Sequence, residues 1–447
     1  MRSEVKTYAY PDGNIQRVQV VSWENWKALD FFSPTPTDDA LDCFAHIYRN
    51  FLVPQAPWMF GHLVMFRLPE NLPELSFRTK KYGTLSDPLT AAAAALTEGL
   101  RIVSGKPRFR SAQAKALWEA LEKENCLRII SGKLPVTTVI PVGNFAGYLS
   151  RSAPDAPLKV NSSFFIMDRF DCATVYDQVG TPFGLSVKNG IAARPPLYHR
   201  EALLVKKDGS VSVEPLDVST LGIEINGQVF RHGENARIYS RPRRSRSPGG
   251  LSAVIVGNRV VAVGKGRLPV PASGFVLCPQ IPCALQPGDP VIYRDLEDVV
   301  FGIQVGNSIV KGGVKTEAFL SRFYNIRRLE PVPFPPSLYP MDFDGARAAR
   351  IALGADRNGK PMVLWAEGAA KFGHVPGKGS CGASLREMAD ICADVGMWNA
   401  VNLDGGGSAQ LLFRGQRALC ISDRSPKDYS ETERPIPLAL SVTDPGR

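Results

Sequence analysis

The chain has 447 residues, of which 44% are hydrophobic and 21% are charged. These proportions are typical of a globular protein and exclude a disordered or fibrous one. The length predicts two or three structural units, and the 40 Gly and 36 Pro favour short strands joined by turns over long helices. Lys and Arg total 53 against 43 Asp and Glu, and the resulting formal charge of +10 favours acidic partners such as nucleic acid, phosphorylated small molecules or anionic polysaccharide.

The start of the chain, its hydropathy and its cysteines bear on the cellular location of the protein. Residues 1–6 contain no apolar signal-peptide core, and no window reaches the roughly 18 apolar residues that a membrane-spanning helix needs. The eight cysteines are scattered and form no CxxC pair, so we expect reduced, packed thiols and no zinc site. We therefore predict a cytoplasmic protein without a membrane partner, or a secreted one if the natural chain begins further upstream.

Residues 1–125 are predicted to form a smaller, α-rich accessory region. One helix should begin at residues 86–88, where a Ser-Asp cap precedes a proline at the first helical position. A second should begin near Ser111, and residues 40–48 are a third candidate. This region contains no chemical motif, so its role is not predicted.

Residues 126–447 read mainly as strands joined by tight turns. The pairs Asp208-Gly209 and Gly257-Asn258 each separate two apolar segments, which predicts two β-hairpins. One helix interrupts the strands at residues 384–395, where Ser384 and Glu387 form a capping box. The fold class predicted for the whole chain is α+β, a mainly antiparallel β-sheet with a few packed helices, preceded by the α-rich region.

The sharpest local motif is Asn-Leu-Asp-Gly-Gly-Gly-Ser at residues 402–408, which follows a predicted buried strand. Three consecutive glycines cost backbone entropy, so such a run indicates close approach of the backbone or a positive φ. Their N–H groups can form an anion-binding nest beside Asp404. The motif is neither a Walker loop nor a dinucleotide fingerprint. The alternative is a glycine-rich turn with a solvated aspartate.

Polar residues at other strand ends are weaker candidates. Arg350 enters an apolar strand, and its planar guanidinium suits phosphate or carboxylate. Glu367 ends a second apolar strand and Asn161 ends a third. Each of the three is equally compatible with a surface group or a polar strand terminus, and His374 with a solvated loop histidine.

A basic loop between residues 241 and 246 is a candidate surface for phosphates. A solvated loop without a partner explains it equally well. Its arginines are Arg241, Arg243, Arg244 and Arg246.

Taken in order, several of these segments resemble the phosphodiester glycosidase family, over roughly residues 130–445. The segments that carry the resemblance are VNSSFF at 160–165, TPFGL at 181–185, VGNSIVKGG at 305–313, ARIALG at 349–354, AEG at 366–368, the helix at 384–395, AVNLDGGGS at 400–408 and Arg434. The glycine-rich string at residues 402–408 is highly specific for the family. The other segments are weak singly, and their order along the chain supports the resemblance. Ile351 stands where the family usually has threonine, and Glu367 where aspartate is common, which bears on the substrate more than on the reaction class.

The resemblance implies hydrolysis of the sugar C1–O–P linkage of a glycosyl-1-phosphodiester such as an N-acetylglucosamine-α-1-phosphodiester, with release of free sugar and a phosphate monoester. Asp404 would be the catalytic carboxylate, with Glu367 as a second one. Arg350 and Arg434 would clamp the phosphate. The remaining polar groups would hold sugar hydroxyls or phosphate oxygens; they are Asn161, Asn402, Gly405, Gly406, Gly407 and Ser408.

No cofactor is expected, although Asp404 beside a phosphate leaves room for a weakly held divalent cation. Two alternatives stay open. One is a hydrolase of the same scaffold acting on another phosphate-linked sugar, in an exopolysaccharide, a teichoic-type polymer or a nucleotide-linked sugar. The other is a non-catalytic nucleic-acid-binding protein that uses the basic loop. The expected partner is thus a phosphate-linked sugar, with nucleic acid second, and no oligomeric state follows from the sequence.

Overall fold

Antiparallel β-strands make up most of the regular structure, as the composition predicts. The structure is a computed structural model that describes residues 1–34, 40–54, 56–70, 78–79, 83–85, 87–143, 146–152, 155–167, 169, 171–197, 200–241, 244, 246–316, 347–369, 379–425 and 428–443. Ser86, Arg243 and His374 lie outside these residues. The prediction of mainly antiparallel sheet with a few packed helices is confirmed.

The strands are numbered in chain order. Those before residue 165 are β1 (Arg2–Ala9), β2 (Ile15–Ser22), β3 (Leu29–Phe32), β4 (His62–Phe66), β5 (Arg78–Thr79), β6 (Gly83–Thr84), β7 (Leu100–Val103), β8 (Lys106–Phe109), β9 (Leu127–Ser131), β10 (Thr137–Pro141) and β11 (Leu158–Asn161). The next are β12 (Ser186–Lys188), β13 (Ile191–Arg194), β14 (Arg200–Lys206), β15 (Val211–Leu216), β16 (Ile223–Ile225), β17 (Gln228–Phe230), β18 (Ala236–Ser240), β19 (Ser252–Val256), β20 (Arg259–Gly264), β21 (Gly274–Pro279), β22 (Ile292–Tyr293), β23 (Val299–Ile303), β24 (Ser308–Lys311) and β25 (Val314–Lys315). The last are β26 (Arg350–Ala355), β27 (Pro361–Ala366), β28 (Asn399–Asn402), β29 (Leu411–Phe413) and β30 (Ala439–Val442).

The described α-helices begin close to their predicted positions. They are α1 (Ala40–Ile47), α2 (Pro88–Gly99), α3 (Ala112–Lys123) and α4 (Leu385–Asp394), and a π-helical turn, Tyr48–Leu52, continues α1. Asp87 caps α2 by accepting from the Thr90 N–H at 2.7 Å. Ser384 and Glu387 form the predicted capping box of α4. No helix within the described ranges is long and apolar enough to cross a membrane.

A seven-stranded sheet, which we call the main sheet, positions the candidate site. Its strand order is β1-β2-β27-β26-β28-β24-β25, with antiparallel neighbours throughout. In this register Arg350 lies opposite Ala366, and Ala352 lies opposite Asn402. The first residue of β26 therefore shares one sheet edge with the last residues of β27 and β28.

The predicted α-rich start of the chain is wrong. The chain begins with the hairpin β1–β2, and β2 pairs with β27, from Val18 opposite Ala366 to Ser22 opposite Met362. The helix signals at residues 86–125 are local, whereas this pairing joins segments more than 300 residues apart and leaves no local signal. The division of the chain at residue 125 stays a prediction. The hairpin β1–β2 nevertheless belongs to the main sheet, whose other five strands come from residues 308–402.

Two layers cover the main sheet. One face packs against α4, which contributes Leu385 and Met388 to a hydrophobic cluster with Ala352 and Leu364. The other face shares a core with a four-stranded sheet of order β29-β11-β30-β3, and Trp365 is fully buried in that core. The candidate site lies where the ends of β28 and β11 meet between these two sheets.

The remaining strands form separate sheets. Both predicted hairpins are confirmed: β14–β15 lies in a five-stranded sheet of order β13-β12-β23-β14-β15, and β19–β20 lies in a four-stranded sheet of order β18-β21-β19-β20. Strands β10, β4 and β9 form a three-stranded sheet in which β10 and β4 are parallel. Helices α2 and α3 pack into a hydrophobic cluster with residues of β4 and β19.

Candidate active site

The main chain of Asp404 is held by residues at the end of β11. Asp404 follows β28 by two residues, and its N–H donates to the carbonyl of Ser162 at 2.9 Å. Its own carbonyl accepts from Nδ2 of Asn161, the last residue of β11, at 2.7 Å. Oδ1 of Asn161 accepts from the Gln410 N–H at 2.9 Å. Both ends of the Asn161 amide thus bind the backbone of the Asp404 loop, and its role as a substrate ligand stays a prediction.

The carboxyl of Asp404 is half-buried at the edge of the main sheet. Burial raises the pKa of Asp404 to about 7, although the Ser408 hydroxyl, the positive charge of Arg434 and the Gly405 N–H each favour the ionised form. Near neutral pH the carboxyl therefore exists in both protonation states. A pKa close to the working pH suits a group that exchanges protons or stabilises charge during a reaction.

Each of the three glycines in the loop is favoured at its position for its own structural reason. Gly406 has a positive φ of 59°, and its N–H donates to the Ala349 carbonyl at 2.8 Å, so this amide is used within the protein. A Cβ at Gly405 would lie 2.7 Å from that same carbonyl oxygen. A Cβ at Gly407 would overlap the side chains of Asp423 and Arg434. Gly405 and Gly407 are needed because other groups approach the backbone closely, and Gly406 is favoured by its positive φ.

Arg434 lies beside Asp404 with its orientation fixed from two sides. Its Nε and Nη2 lie 3.0 and 2.9 Å from Oδ2 of Asp423. Its guanidinium carbon is 5.0 Å from the ring centroid of Phe51, in the π-helical turn after α1. Sequence reasoning identified Arg434 but missed Asp423 and Phe51, neither of which stands in a motif.

Arg350 and Asn402 lie on neighbouring strands at the same edge of the main sheet. Arg350 is only 5% exposed, and its Nε donates to the Ala383 carbonyl at 3.1 Å. Asn402 is fully buried, and among the described residues neither its Nδ2 nor its Oδ1 has a hydrogen-bond partner. Because an unsatisfied buried amide costs free energy, it requires an explanation such as an ordered water or a ligand.

Glu367 lies at the same sheet edge, where its carboxylate accepts hydrogen bonds from several parts of the chain. Its Oε1 accepts from Arg17 Nη2 at 2.6 Å and from the Cys420 N–H at 2.8 Å, and its Oε2 accepts from Arg17 Nε at 2.8 Å and from the Ser380 hydroxyl. Strand β26 lies between β27 and β28, so the backbones that carry Glu367 and Asp404 are about 10 Å apart. The catalytic role of Glu367 stays a prediction.

The described arginines of the predicted basic loop differ in exposure, so they do not form one solvated surface. Arg241 is buried, with its Nη2 3.2 Å from Asp177 and its Nε donating to the Val270 carbonyl at 3.0 Å. The alternative of a solvated loop is therefore wrong at this position, because the guanidinium is buried against the fully buried side chain of Asp177. Arg244 and Arg246 are exposed.

A cavity of about 940 Å³ lies away from this site, lined by Trp23, Asp155, Arg414 and Thr443 among others. These residues adjoin the first residue of β11 and the last of β30, at the end opposite Asn161. The cavity and Asp404 are therefore at different ends of the four-stranded sheet. Within the described part of the chain, no group of three or more His, Cys, Asp or Glu side chains could hold a metal ion.

Part of the sequence is similar to that of known proteins. A mouse N-acetylglucosamine-1-phosphodiester alpha-N-acetylglucosaminidase is 31% identical over 103 residues, which is 23% of this chain and 18% of the relative. Its human counterpart is 32% identical over 98 residues, 22% of this chain and 18% of the relative. The chain thus matches less than a fifth of the length of these relatives.

The solved structures resemble the chain only distantly. A hypothetical protein from Synechocystis shares 16% identity, and the match covers 98% of this chain and 61% of that one with a TM-score of 0.42. A sequence model of phosphodiester glycosidases, by contrast, matches residues 219–443, which is half of the chain and includes Arg350, Asp404 and Arg434. The chain belongs to the phosphodiester glycosidase family.

Proposed function

We propose that the protein hydrolyses the C1–O bond of a glycosyl-1-phosphodiester, with an N-acetylglucosamine-α-1-phosphodiester as the reference substrate, and releases free sugar and a phosphate monoester. The observation that carries the proposal is Asp404, a half-buried carboxyl whose pKa is raised to about 7, with Arg434 beside it. The family supports the reaction class, and the names of the mouse and human relatives support this substrate.

In the proposed reaction, water forms a bond to the anomeric carbon while the C1–O bond breaks. The electron pair of that bond leaves with the bridging oxygen, which becomes part of the phosphate monoester. A phosphate monoester is a weak base, so its departure needs little help from a general acid. The useful form of Asp404 is therefore the ionised one, which takes a proton from the attacking water or stabilises an oxocarbenium-like transition state.

The phosphate would be held by the cations at the same sheet edge. Arg434 is fixed by Asp423 and Phe51, so little conformational entropy is lost when its guanidinium binds an anion. Arg350 lies next to the glycine loop, since its Cδ is 3.6 Å from the position of a Cβ at Gly405. Asn402 and Ser408 supply further donors, and the unsatisfied amide of Asn402 would gain a partner.

The first test is release of free N-acetylglucosamine from an N-acetylglucosamine-α-1-phosphodiester. The wild type is expected to turn the substrate over, and Asp404→Asn is expected to lower kcat by about 10²- to 10⁴-fold, the usual contribution of an acid–base group. Asp298→Asn, which changes an exposed aspartate, is the matched control and is expected to keep wild-type kinetics. Repeating the assay with a chelator measures any need for a divalent cation.

The outcomes separate the open alternatives. A folded wild type without turnover would overturn this substrate, and release of sugar from a teichoic-type polymer or a nucleotide-linked sugar, still dependent on Asp404, would support the second hydrolase. Salt-sensitive binding of RNA or DNA that survives Asp404→Asn and falls when Arg244 and Arg246 are neutralised would support the nucleic-acid alternative.

A further inference from the structure

The carboxylate of Glu367 joins three distant parts of the chain. It is 2% exposed, and it accepts hydrogen bonds from Arg17 in β2, from Ser380 ahead of α4 and from the backbone of Cys420. Four donors thus converge on two oxygens. A carboxylate whose oxygens are occupied in this way is poorly placed to take a proton from water.

Arg17 links the hairpin β1–β2 to this carboxylate through hydrogen bonds. Its N–H donates to Ser380 Oγ at 3.0 Å, and its carbonyl accepts from the Glu367 N–H at 3.0 Å. Gln16 adds a bond from its Nε2 to the Glu367 carbonyl at 2.8 Å. The side chain of Arg17 is 40% exposed, whereas its carboxylate partner is buried. Removing Arg17 would therefore leave a buried charge without its countercharge, which is strongly unfavourable.

The network continues from Glu367 to the arginine beside Asp404. Cys420 is bound by Glu367, and the Asp423 that holds Arg434 comes three residues later. Gly368, directly after Glu367, packs against the same segment, since a Cβ there would lie 2.9 Å from Cβ of Ser422. Residues 420–423, which we call the bridge segment, are therefore fixed at one end by Glu367 and present Asp423 at the other.

We infer that Glu367 is a positioning residue: paired with Arg17, it holds the bridge segment so that Asp423 presents Arg434 to the phosphate of the substrate. The inference rests on the proposed function and assigns Glu367 a role different from that of a second catalytic carboxylate. It also gives the first hairpin a part in the site, because β2 supplies Arg17.

Steady-state kinetics of Glu367→Gln, Arg17→Met and the double variant distinguish the two roles. For a positioning pair, each single variant is expected to raise KM for the phosphodiester about tenfold and to change kcat less than about threefold, and the double variant is expected to be no worse than either single one, because the two residues act as a unit. Arg17→Lys, which keeps the charge but not the two-point contact, is expected to recover part of the loss.

Two results would overturn the inference. If Glu367→Gln lowers kcat more than a hundredfold while Arg17→Met leaves kcat and KM near wild type, Glu367 is catalytic. If the two single effects multiply in the double variant, the residues act independently. The matched control is Arg231→Met, which removes a comparably exposed arginine from its two-point pair with Asp295 and is expected to leave the kinetics unchanged; the pair lies just after the ends of β17 and β22.

Hydrogen exchange gives a readout that needs no substrate. Peptides covering residues 418–425 are expected to exchange faster in Glu367→Gln and Arg17→Met than in the wild type, and at the wild-type rate in Arg231→Met. Unchanged exchange in the first two variants would contradict the inference even if the proposed reaction is established. A wild type without turnover would instead refute the proposed function, while the exchange data would still decide whether Glu367 holds the bridge segment.

Discussion

Asp404 combines a rigid main chain with a carboxyl that is easily protonated. Its backbone N–H and carbonyl are bonded to Ser162 and Asn161, so the side chain projects from a fixed point between two sheets. Burial raises its pKa to about 7 despite the nearby charge of Arg434. Both the proposed reaction and the pH dependence of stability follow from this one residue.

Activity is expected to rise with pH as Asp404 ionises. Because the ionised carboxylate is the proposed working form, kcat/KM should increase tenfold per pH unit below the pKa, reach half its limit near pH 7 and level off above pH 8. The measurement is a pH profile of kcat/KM for the wild type. An activity that falls as pH rises through 7 would show that the protonated acid is the working form.

Stability is expected to change in the opposite direction. The folded carboxyl has a pKa of about 7, whereas the ordinary value is 3.8, so between these values the folded state keeps a proton that the unfolded state has lost. The contribution of Asp404 to the free energy of unfolding therefore falls as pH rises from about 4 to 7. Asp404→Asn removes this loss and is expected to be more stable than the wild type at pH 8, by about 2 kcal/mol after allowance for partial exposure.

Denaturant unfolding at pH 4 and pH 8 measures this difference. The two proteins are expected to differ little at pH 4 and clearly at pH 8, whereas Asp298→Asn is expected to follow the wild type at both. Equal stability of the wild type and Asp404→Asn at pH 8 would show that the pKa of Asp404 is not raised.

Among the structural elements, the glycine loop after β28 has the least room for an added side chain. Gly407→Ala is expected to raise KM at least tenfold, because the added Cβ would overlap both Asp423 and Arg434 and displace the pair. Gly266→Ala is the matched control, since a Cβ at Gly266 meets nothing within 4 Å. Steady-state kinetics of both variants test the requirement, and a Gly407→Ala enzyme with wild-type KM would argue against a role for Arg434 in binding.

The π-helical turn after α1 brings the N-terminal part of the chain to the site. Phe51 lies over the guanidinium of Arg434, so Phe51→Leu is expected to raise KM about three- to tenfold through loss of the ring contact. Phe66→Leu makes the same change in a different hydrophobic cluster and is expected to lower stability without raising KM. If both variants change KM equally, the effect is a general loss of packing.

At the scale of the whole molecule, local signals predicted the described α-helices and two of the hairpins correctly. Asp87 and Ser384 cap helices where the sequence places them, and the Asp208-Gly209 turn joins β14 to β15. The hairpin β1–β2 was missed although Asp12-Gly13 between its strands is a local turn signal. The pairing of β2 with β27, more than 300 residues away, is encoded by no local pattern.

The candidate site was predicted only as far as its motif extends. The string at residues 402–408 identified Asp404 and its glycines, and Arg434 followed from the family resemblance. Asp423, Phe51 and Arg17 became visible only when tertiary packing brought them to the sheet edge. Each acts by orienting another side chain, and such residues leave no spacing pattern in the sequence.

Water is proposed to attack the anomeric carbon, and the bond that breaks can be identified directly. Hydrolysis of an N-acetylglucosamine-α-1-phosphodiester in ¹⁸O-labelled water, followed by mass spectrometry of the phosphate monoester, is the most direct test. Cleavage of the C1–O bond leaves the bridging oxygen on phosphorus, so the account predicts a phosphate monoester without ¹⁸O. A phosphate monoester that carries one ¹⁸O would show attack at phosphorus and would contradict the account.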